Sequence, residues 1–335
     1  MNGCDMADYR LFGADTSPYS QKVRAALRYK GADFEWVPRS VRTEADFRAM
    51  AATPTVPLLM APGRPPSQDS TAMLNALEAD RQEPSTVPDD PACAALALIL
   101  EDYGDEWLNK AMFNERWSQS PDREQAAHRV MLQLFAGEPP ENREQAEAEI
   151  AERMASRLGL VGAGGKNSRK LKQSFHRFAE RLDAHLKENL FIFGGRPSAA
   201  DFSVAAQFQQ MLLDPTPGQW LRERTPFVTE WCEFMETPNA GAPFKPLAEL
   251  EATLLPVFSD EVARTYLPWA VANSENASKR RKKLSVKIAG GQFEETTQRY
   301  AAKSFKSLKK AVGKAREAEG LADFLKAARA EAILQ

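Results

Sequence analysis

The hydrophobic pattern of this chain changes period once, near Pro91. Between residues 9 and 80, short runs with strand-like alternation are separated by helical runs. From 91 to about 255 apolar residues recur only at helical spacing, and strand signals disappear. A chain patterned this way cannot close one large sheet. It must build a small α/β unit and then an all-helical one.

In the first unit, strands are expected at 9–14, 34–38 and 56–60. The helices between and after them run over 19–29, 43–50 and from 70 to about 79. Val23, Ala26 and Leu27 share one face of the first helix, and Gly31 stops it. Thr43 and Asp46 have the spacing of a helix-opening cap, and Asp69-Ser70 caps a helix with Met73, Leu74 and Leu77 inward. Helices are expected next at 94–113, 125–135, 141–158, 170–190, 199–213 and 225–235. The breaks fall at 137–140, 162–165, 194–197, 214–218 and 238–246. The last segment reads as a helix over 260–273, a hairpin of 284–288 and 292–297 turning on Gly290-Gly291, and helices over 300–314 and 321–334. The boundaries expected are 1–84, 90–255 and a basic α+β extension, 256–335.

Charge sets the last segment apart. Residues 257–335 hold 16 Lys and Arg against 9 Asp and Glu, and the rest of the chain is correspondingly acidic. Complementarity predicts that this tail folds onto the acidic body or onto a partner subunit. The basic run at 279–283 has no interleaved aromatics and reads as a solvated loop, so neither nucleic acid nor a membrane is expected as partner. The 43% hydrophobic and 27% charged content excludes a mostly disordered chain. Cys4, Cys93 and Cys232 form no CxxC pair, and there are 3 histidines, so neither a disulfide scaffold nor a metal is expected. No apolar run is long enough to span a bilayer, and residues 1–10 lack a secretory pattern, which points to the cytoplasm.

The chemistry centres on Ser17-Pro18-Tyr19-Ser20, at a strand-to-helix turn. Backbone N–H groups and the positive helix end face a ligand there, so an anion is stabilised. If that anion is a thiolate, a neighbouring hydroxyl donor lowers its pKa. An isolated Ser-Pro would be a plain N-cap. Tyr19 and Ser20 read as helix-start residues, and Thr16 is the nearest substitute hydroxyl.

The Ser-Pro-Tyr-Ser stretch resembles the Cys-Pro-Tyr-Cys of glutaredoxins with both sulfurs replaced by hydroxyls. Thr55-Val56-Pro57 resembles the Val-Pro of the thioredoxin fold. Asp69-Ser70-Thr71-Ala72-Met73 is similar to the turn that holds the γ-glutamyl end of glutathione. Ser198 and Asp201 match a capping box in a following helical domain. In this order the elements resemble cytosolic glutathione S-transferases of serine type over residues 9–250. The chain departs from the family in reading Ala52-Thr53-Pro54-Thr55 before the Val-Pro, in having Asp rather than Glu at 69, and in its long tail.

The resemblance implies a thioredoxin-like domain followed by an all-α domain. Its activity would be attack of the glutathione thiolate on a hydrophobic electrophile, as in detoxification, by a homodimer. Ser17 would hydrogen-bond the glutathione sulfur. Val56 and Pro57 would meet the cysteinyl part, Asp69 and Ser70 the γ-glutamyl group, and Arg42 the glycyl carboxylate. Tyr103, Trp107 and Phe113 would wall the electrophile pocket, or else serve as core. The absence of a cysteine at 17 argues against disulfide reduction. Two rival readings are a non-catalytic binding or scaffold protein whose site is blocked by the tail or by Tyr19, and a specialised glutathione-dependent dehalogenase, isomerase or ether-cleaving lyase.

Overall fold

The computed structural model describes residues 7–334, so Cys4 lies outside it. β1 (Tyr9–Gly13), α1 (Pro18–Tyr29), β2 (Phe34–Pro38), α2 (Glu44–Met50), β3 (Leu58–Met60) and α3 (Ser70–Asp80) form the first unit. The sheet order is β2-β1-β3, with β1 parallel to β2 and antiparallel to β3. Alternation along β1 fixes the layers: Tyr9 and Leu11 join Val23, Leu27, Met73 and Leu77, whereas Phe12 faces Val37, Phe47 and Leu58. A fourth strand is reduced to one antiparallel bridge between Leu59 and Ser67. The Thr43 hydroxyl does not cap α2. It bonds the carbonyl of Pro38 at 2.8 Å, so the expected Thr43–Asp46 cap does not form.

The helical body comprises α4 (Pro91–Asp102), a π turn (Tyr103–Leu108), α5 (Asn109–Trp117), α6 (Asp122–Leu134), α7 (Arg143–Ala155), α8 (Gly165–Leu186), α9 (Ala199–Leu212), α10 (Pro215–Arg224), α11 (Pro226–Phe234) and α12 (Leu247–Val257). The capping box at α9 is formed: the backbone N–H of Ser198 donates to Asp201 at 2.9 Å and its hydroxyl at 2.7 Å. Two helices depart from expectation. α10 begins where residues 214–218 read as a break, because prolines in a first turn cost no helical hydrogen bond. α12 buries Leu247, Leu250 and Leu254 at helical spacing and carries the helix straight across 255/256.

α4 through α5 is one continuous rod. Its opening sequence, Pro-Ala-Cys-Ala-Ala-Leu-Ala-Leu-Ile-Leu, is apolar nearly all round, and such a helix must be covered on every side. α9 covers one side. Gly104 allows the close approach, since a Cβ there would lie 2.3 Å from the Ser203 hydroxyl.

The extension covers another side. It contains a π turn (Phe258–Val262), α13 (Tyr266–Ser278), the hairpin β4 (Lys283–Ile288) and β5 (Gly291–Thr296), α14 (Arg299–Lys314) and α15 (Leu321–Ala327). Gly290 and Gly291 take φ of 94° and 120° at the hairpin tip, where side-chain-bearing residues are strained. α15 stops seven residues earlier than expected, and the chain turns at Arg329, φ 59°. α14 lies along α4 and buries Phe305, Leu308 and Val312. Trp107 of the body meets Trp269 and Phe293 of the extension at ring separations of 5.5 and 5.1 Å, inside one continuous core.

The tail therefore folds onto the body, but not through the expected charge complementarity. Three ion pairs cross the seam: Lys110–Glu295 at 3.0 Å, Arg177–Glu261 at 2.8 Å and Arg181–Asp260 at 2.7 Å. In each the tail supplies the acid. Among the described residues no tail lysine or arginine is ion-paired with the body, and Lys303, Lys306 and Lys310 of α14 are exposed.

Candidate functional site

Ser17 is the N-cap of α1. Its hydroxyl oxygen accepts from the N–H of Ser20 at 3.3 Å, and Pro18 at the next position has no N–H to offer. The hydroxyl is half-buried and has its own proton left to donate. The Tyr19 hydroxyl is committed elsewhere, donating to the carbonyl of Asp105 at 2.7 Å, and burial raises its pKa well above the ordinary value. Cys93 and Cys232 are buried and far from thiolate character, with burial pushing Cys93 up to about 12.

The second element is the N-terminus of α3. Asp69 caps it, accepting the N–H of Ala72 at 3.1 Å. The Ser70 hydroxyl has no hydrogen-bond partner among the described residues, and first-turn N–H groups remain for a ligand carboxylate. The Val56–Pro57 peptide is cis, and neither the N–H nor the C=O of Val56 is bonded to another described residue. Gln68 ties the two segments together. Its amide accepts from Thr53 N–H at 2.9 Å and donates to the carbonyls of Thr53 at 2.9 Å and Thr55 at 2.6 Å. Sequence reasoning passed over Gln68, although an amide immediately before Asp69-Ser70 was the available signal.

A cleft of about 600 Å³ opens beside the β1–α1 loop. Asp15 and Thr16 form one wall, Pro38 and Arg42 another, and Leu132, Ala136 and Leu213 an apolar third. Arg42 stands at its rim, with its guanidinium 2.6 Å from Glu138. The loop is anchored from the body: Gln133 accepts from Asp15 N–H at 2.8 Å, and the buried Arg116 donates to the Thr16 carbonyl at 3.2 Å. Arg116 is itself paired with Asp214 at 2.8 Å.

The three aromatics expected to wall an electrophile pocket do not line this cleft. Tyr103 and Trp107 are 0% exposed. Tyr103 packs on Phe178 and Tyr266, and the indole of Trp107 donates to Ser174 at 2.8 Å. Phe113 packs on Trp117 in a side cluster with Val130 and Ile150. The extension and the π turn explain the difference. Tyr103 and Trp107 lie in the turn itself, where Tyr266, Trp269 and Phe293 of the extension cover them, and Phe113 is covered instead by the α6–α7 side cluster.

Polar groups on the turn and just before it connect the rod to the first unit. Lys22 of α1 is 1% exposed and lies 2.8 Å from Glu101 and 2.7 Å from Asp105. Burial alone would lower its pKa, but the two carboxylates outweigh burial and hold it charged. Thr71 of α3 joins them by donating to Glu101 at 2.9 Å. Glu106 has no hydrogen-bond partner among the described residues, and burial, then the charges of Asp102 and Asp105, push its carboxyl up to about 8. Asp102 accepts from Tyr266 and Ser304 of the extension. Tyr300 of α14 donates to Asp69 at 2.7 Å. Among the described residues no group of three or more His, Cys, Asp or Glu is placed to hold a metal, and no helix is long and apolar enough to cross a membrane.

The chain matches the model of the glutathione S-transferase N-terminal domain over residues 11–85 and that of the C-terminal domain over 143–234. It is 27% identical over 137 residues to the tobacco (Nicotiana tabacum) protein named "Probable glutathione S-transferase", covering 40% of this chain. It is also 27% identical to a rice (Oryza sativa subsp. japonica) protein of similar name over 127 residues, 36% of this chain. The matched regions span 60% and 53% of those relatives' own length. Among solved structures, the β-etherase LigF of Sphingobium sp. strain SYK-6 aligns over 68% of this chain and 93% of its own. Its TM-score is 0.50, at 19% identity, a likeness of fold. A glutathione S-transferase of Methylobacterium radiotolerans in complex with glutathione sulfonate aligns over 71% and 95%, with TM-score 0.45 and 22% identity. With a three-stranded α/β unit, a capped all-helical body and both domain models matched in order, this chain is a glutathione S-transferase-like protein.

Proposed function

We propose that the protein binds glutathione and transfers it to a hydrophobic electrophile. The single observation that carries the reading is the state of Ser17. Its oxygen is occupied as acceptor by the Ser20 N–H, so its proton is the free donor at the positive end of α1. A glutathione sulfur placed there is stabilised as thiolate by that hydroxyl and by the helix end. Val56 would pair its main chain with the cysteinyl unit. Asp69 would take the γ-glutamyl ammonium, and Ser70 and the first turn of α3 its carboxylate. Arg42 would meet the glycyl carboxylate after exchanging Glu138 for the ligand. The electrophile would enter the cleft beside Asp15 and Thr16, where Leu132, Ala136 and Leu213 offer an apolar surface. The bond formed joins the thiolate sulfur to the electrophilic carbon, and the leaving group departs or a conjugated bond takes up the electron pair. Catalysis comes from thiolate population and positioning.

Titration calorimetry of glutathione on wild type and Ser17→Ala, with the thiolate absorbance followed against pH, tests this. Wild type is expected to bind and to lower the thiol pKa. Ser17→Ala is expected to bind within a few-fold of wild type and to leave the thiol near its ordinary value of about 8.5. Equal thiolate absorbance in both proteins would remove Ser17 from the chemistry.

The non-catalytic reading has one observation of its own, the reach of Tyr300 to Asp69. It predicts that wild type binds no glutathione, so the same titration separates the two.

A further inference from the structure

Asp69 is held by two donors from opposite ends of the chain. Oδ1 accepts from Ala72 N–H within its own helix, and Oδ2 accepts from the Tyr300 hydroxyl at 2.7 Å. The second contact is not a by-product of burying an aromatic ring, because Tyr300 is 57% exposed. Its foundation is nevertheless firm. One turn further along α14, Ser304 is bonded to Asp102, and Phe305, Leu308 and Val312 are sunk in the core. α14 thus presents an exposed phenol, on a fixed helix, to the capping carboxylate of α3.

The phenol gives its single proton to Asp69 and keeps its lone pairs. Partial burial and the Asp69 carboxylate both raise its pKa, so it stays neutral. A cation arriving at Oδ2 therefore meets a carboxylate oxygen and a phenol oxygen together. A primary ammonium, with three donors, can use both.

We propose that Tyr300 is a positioning residue for the ligand's ammonium group: it fixes the Asp69 carboxylate and sets a neutral acceptor beside it, so that the extension supplies part of the substrate site. This rests on the glutathione reading above. It assigns the extension a part in recognition as well as in the core.

The test compares two ligands on the full-length protein. One is glutathione. The other is glutaryl-cysteinylglycine, the same tripeptide with the γ-glutamyl amino group replaced by hydrogen. Tyr300→Phe keeps the ring and is expected to fold with an unchanged melting temperature. It should weaken glutathione about tenfold, the scale of one hydrogen bond to a charged group. It should leave binding of the glutaryl analogue unchanged. In an Asp69→Asn background the same substitution should cost less than it does in wild type, because the part that acts through the Asp69 carboxylate is already gone. Equal loss for both ligands would reduce Tyr300 to a structural part, and no loss for either would remove it from the site. Tighter glutathione binding by Tyr300→Phe would make the residue a plug, also overturning the proposal. If wild type binds neither ligand, the glutathione reading itself fails and this proposal falls with it.

Discussion

The helical body has two seams, and they are built with opposite polarity. In the buried part of the first seam the body's ion-pairing groups are acids: Glu101 and Asp105 close on Lys22, with Thr71 alongside. Against the extension it presents cations: Lys110 and Arg177 receive Glu295 and Glu261. The first seam belongs to a sequence segment of unremarkable charge, the second to the most basic segment of the chain. The body nonetheless meets the basic segment through that segment's few acids. A segment's net charge is dominated by its solvated face, whereas docking is decided by the residues on the face that is desolvated. There each charge must find a partner, and apolar contact supplies most of the free energy.

The largest effect should come from the apolar part of the second seam. Trp269 packs against Trp107 with its ring tilted, receives the Lys110 ammonium over its face, and is 1% exposed. Trp269→Ala should cost about 3–5 kcal/mol in a denaturant titration. A loss below about 1 kcal/mol would mean that the extension docks as a loose appendage and that the two seams are not comparable.

A second effect is expected where both seams approach Glu106. The charged groups around it are Asp102, Asp105, Lys110 and Lys22, with the phenols of Tyr19, Tyr266 and Tyr300. Its folded pKa, about 8, lies above its ordinary 4.5, so the native state holds a proton that the unfolded chain has released. Its contribution to stability is therefore complete below about pH 4.5 and is lost as pH rises through 8. Glu106→Gln should match wild type at the acid end of that window. By pH 9 it should melt at a higher temperature than wild type. Parallel melting curves across the window would place Glu106 in water.

The smallest effect should come from the lysines of α14. Reversing Lys303 and Lys310 to Glu should change stability by no more than about 0.5 kcal/mol, with little dependence on salt. A large, salt-sensitive loss would restore charge complementarity as the reason the tail docks.

What could be read from the sequence was what is encoded locally. Ser17, Asp69 and the Ser198–Asp201 pair announce helix starts through side chains that bond within four residues, and Gly290-Gly291 announces a hairpin within two. These readings placed three helices and the β4–β5 turn. The unreadable features depend on partners far along the chain. The π turn at Tyr103–Leu108 breaks the helical periodicity that made Tyr103 and Trp107 look like a cleft wall. The cover on that face comes from Tyr266, Trp269 and Phe293, more than 150 residues later in the chain. One clue was available: a helix opening as apolar all round as α4 needs more cover than the helices of its own domain provide. In the candidate site, Ser17, Asp69 and Ser70 were legible from local motifs. Arg116 and Tyr300 were not, because each works through a contact with a distant segment.

The unbroken run from α4 to α5 has a mechanical consequence. One part of it, at Glu101 and Asp105, grips α1 and α3 through Lys22 and Thr71. Its far end, at Arg116, grips the loop that leads into Ser17. Residues 91–117 span about 40 Å at 1.5 Å per residue. Both sides of the proposed glutathione site are thus held by a single rod. A displacement of the rod is therefore felt at both mounts at once, at Lys22 and at the loop that leads into Ser17.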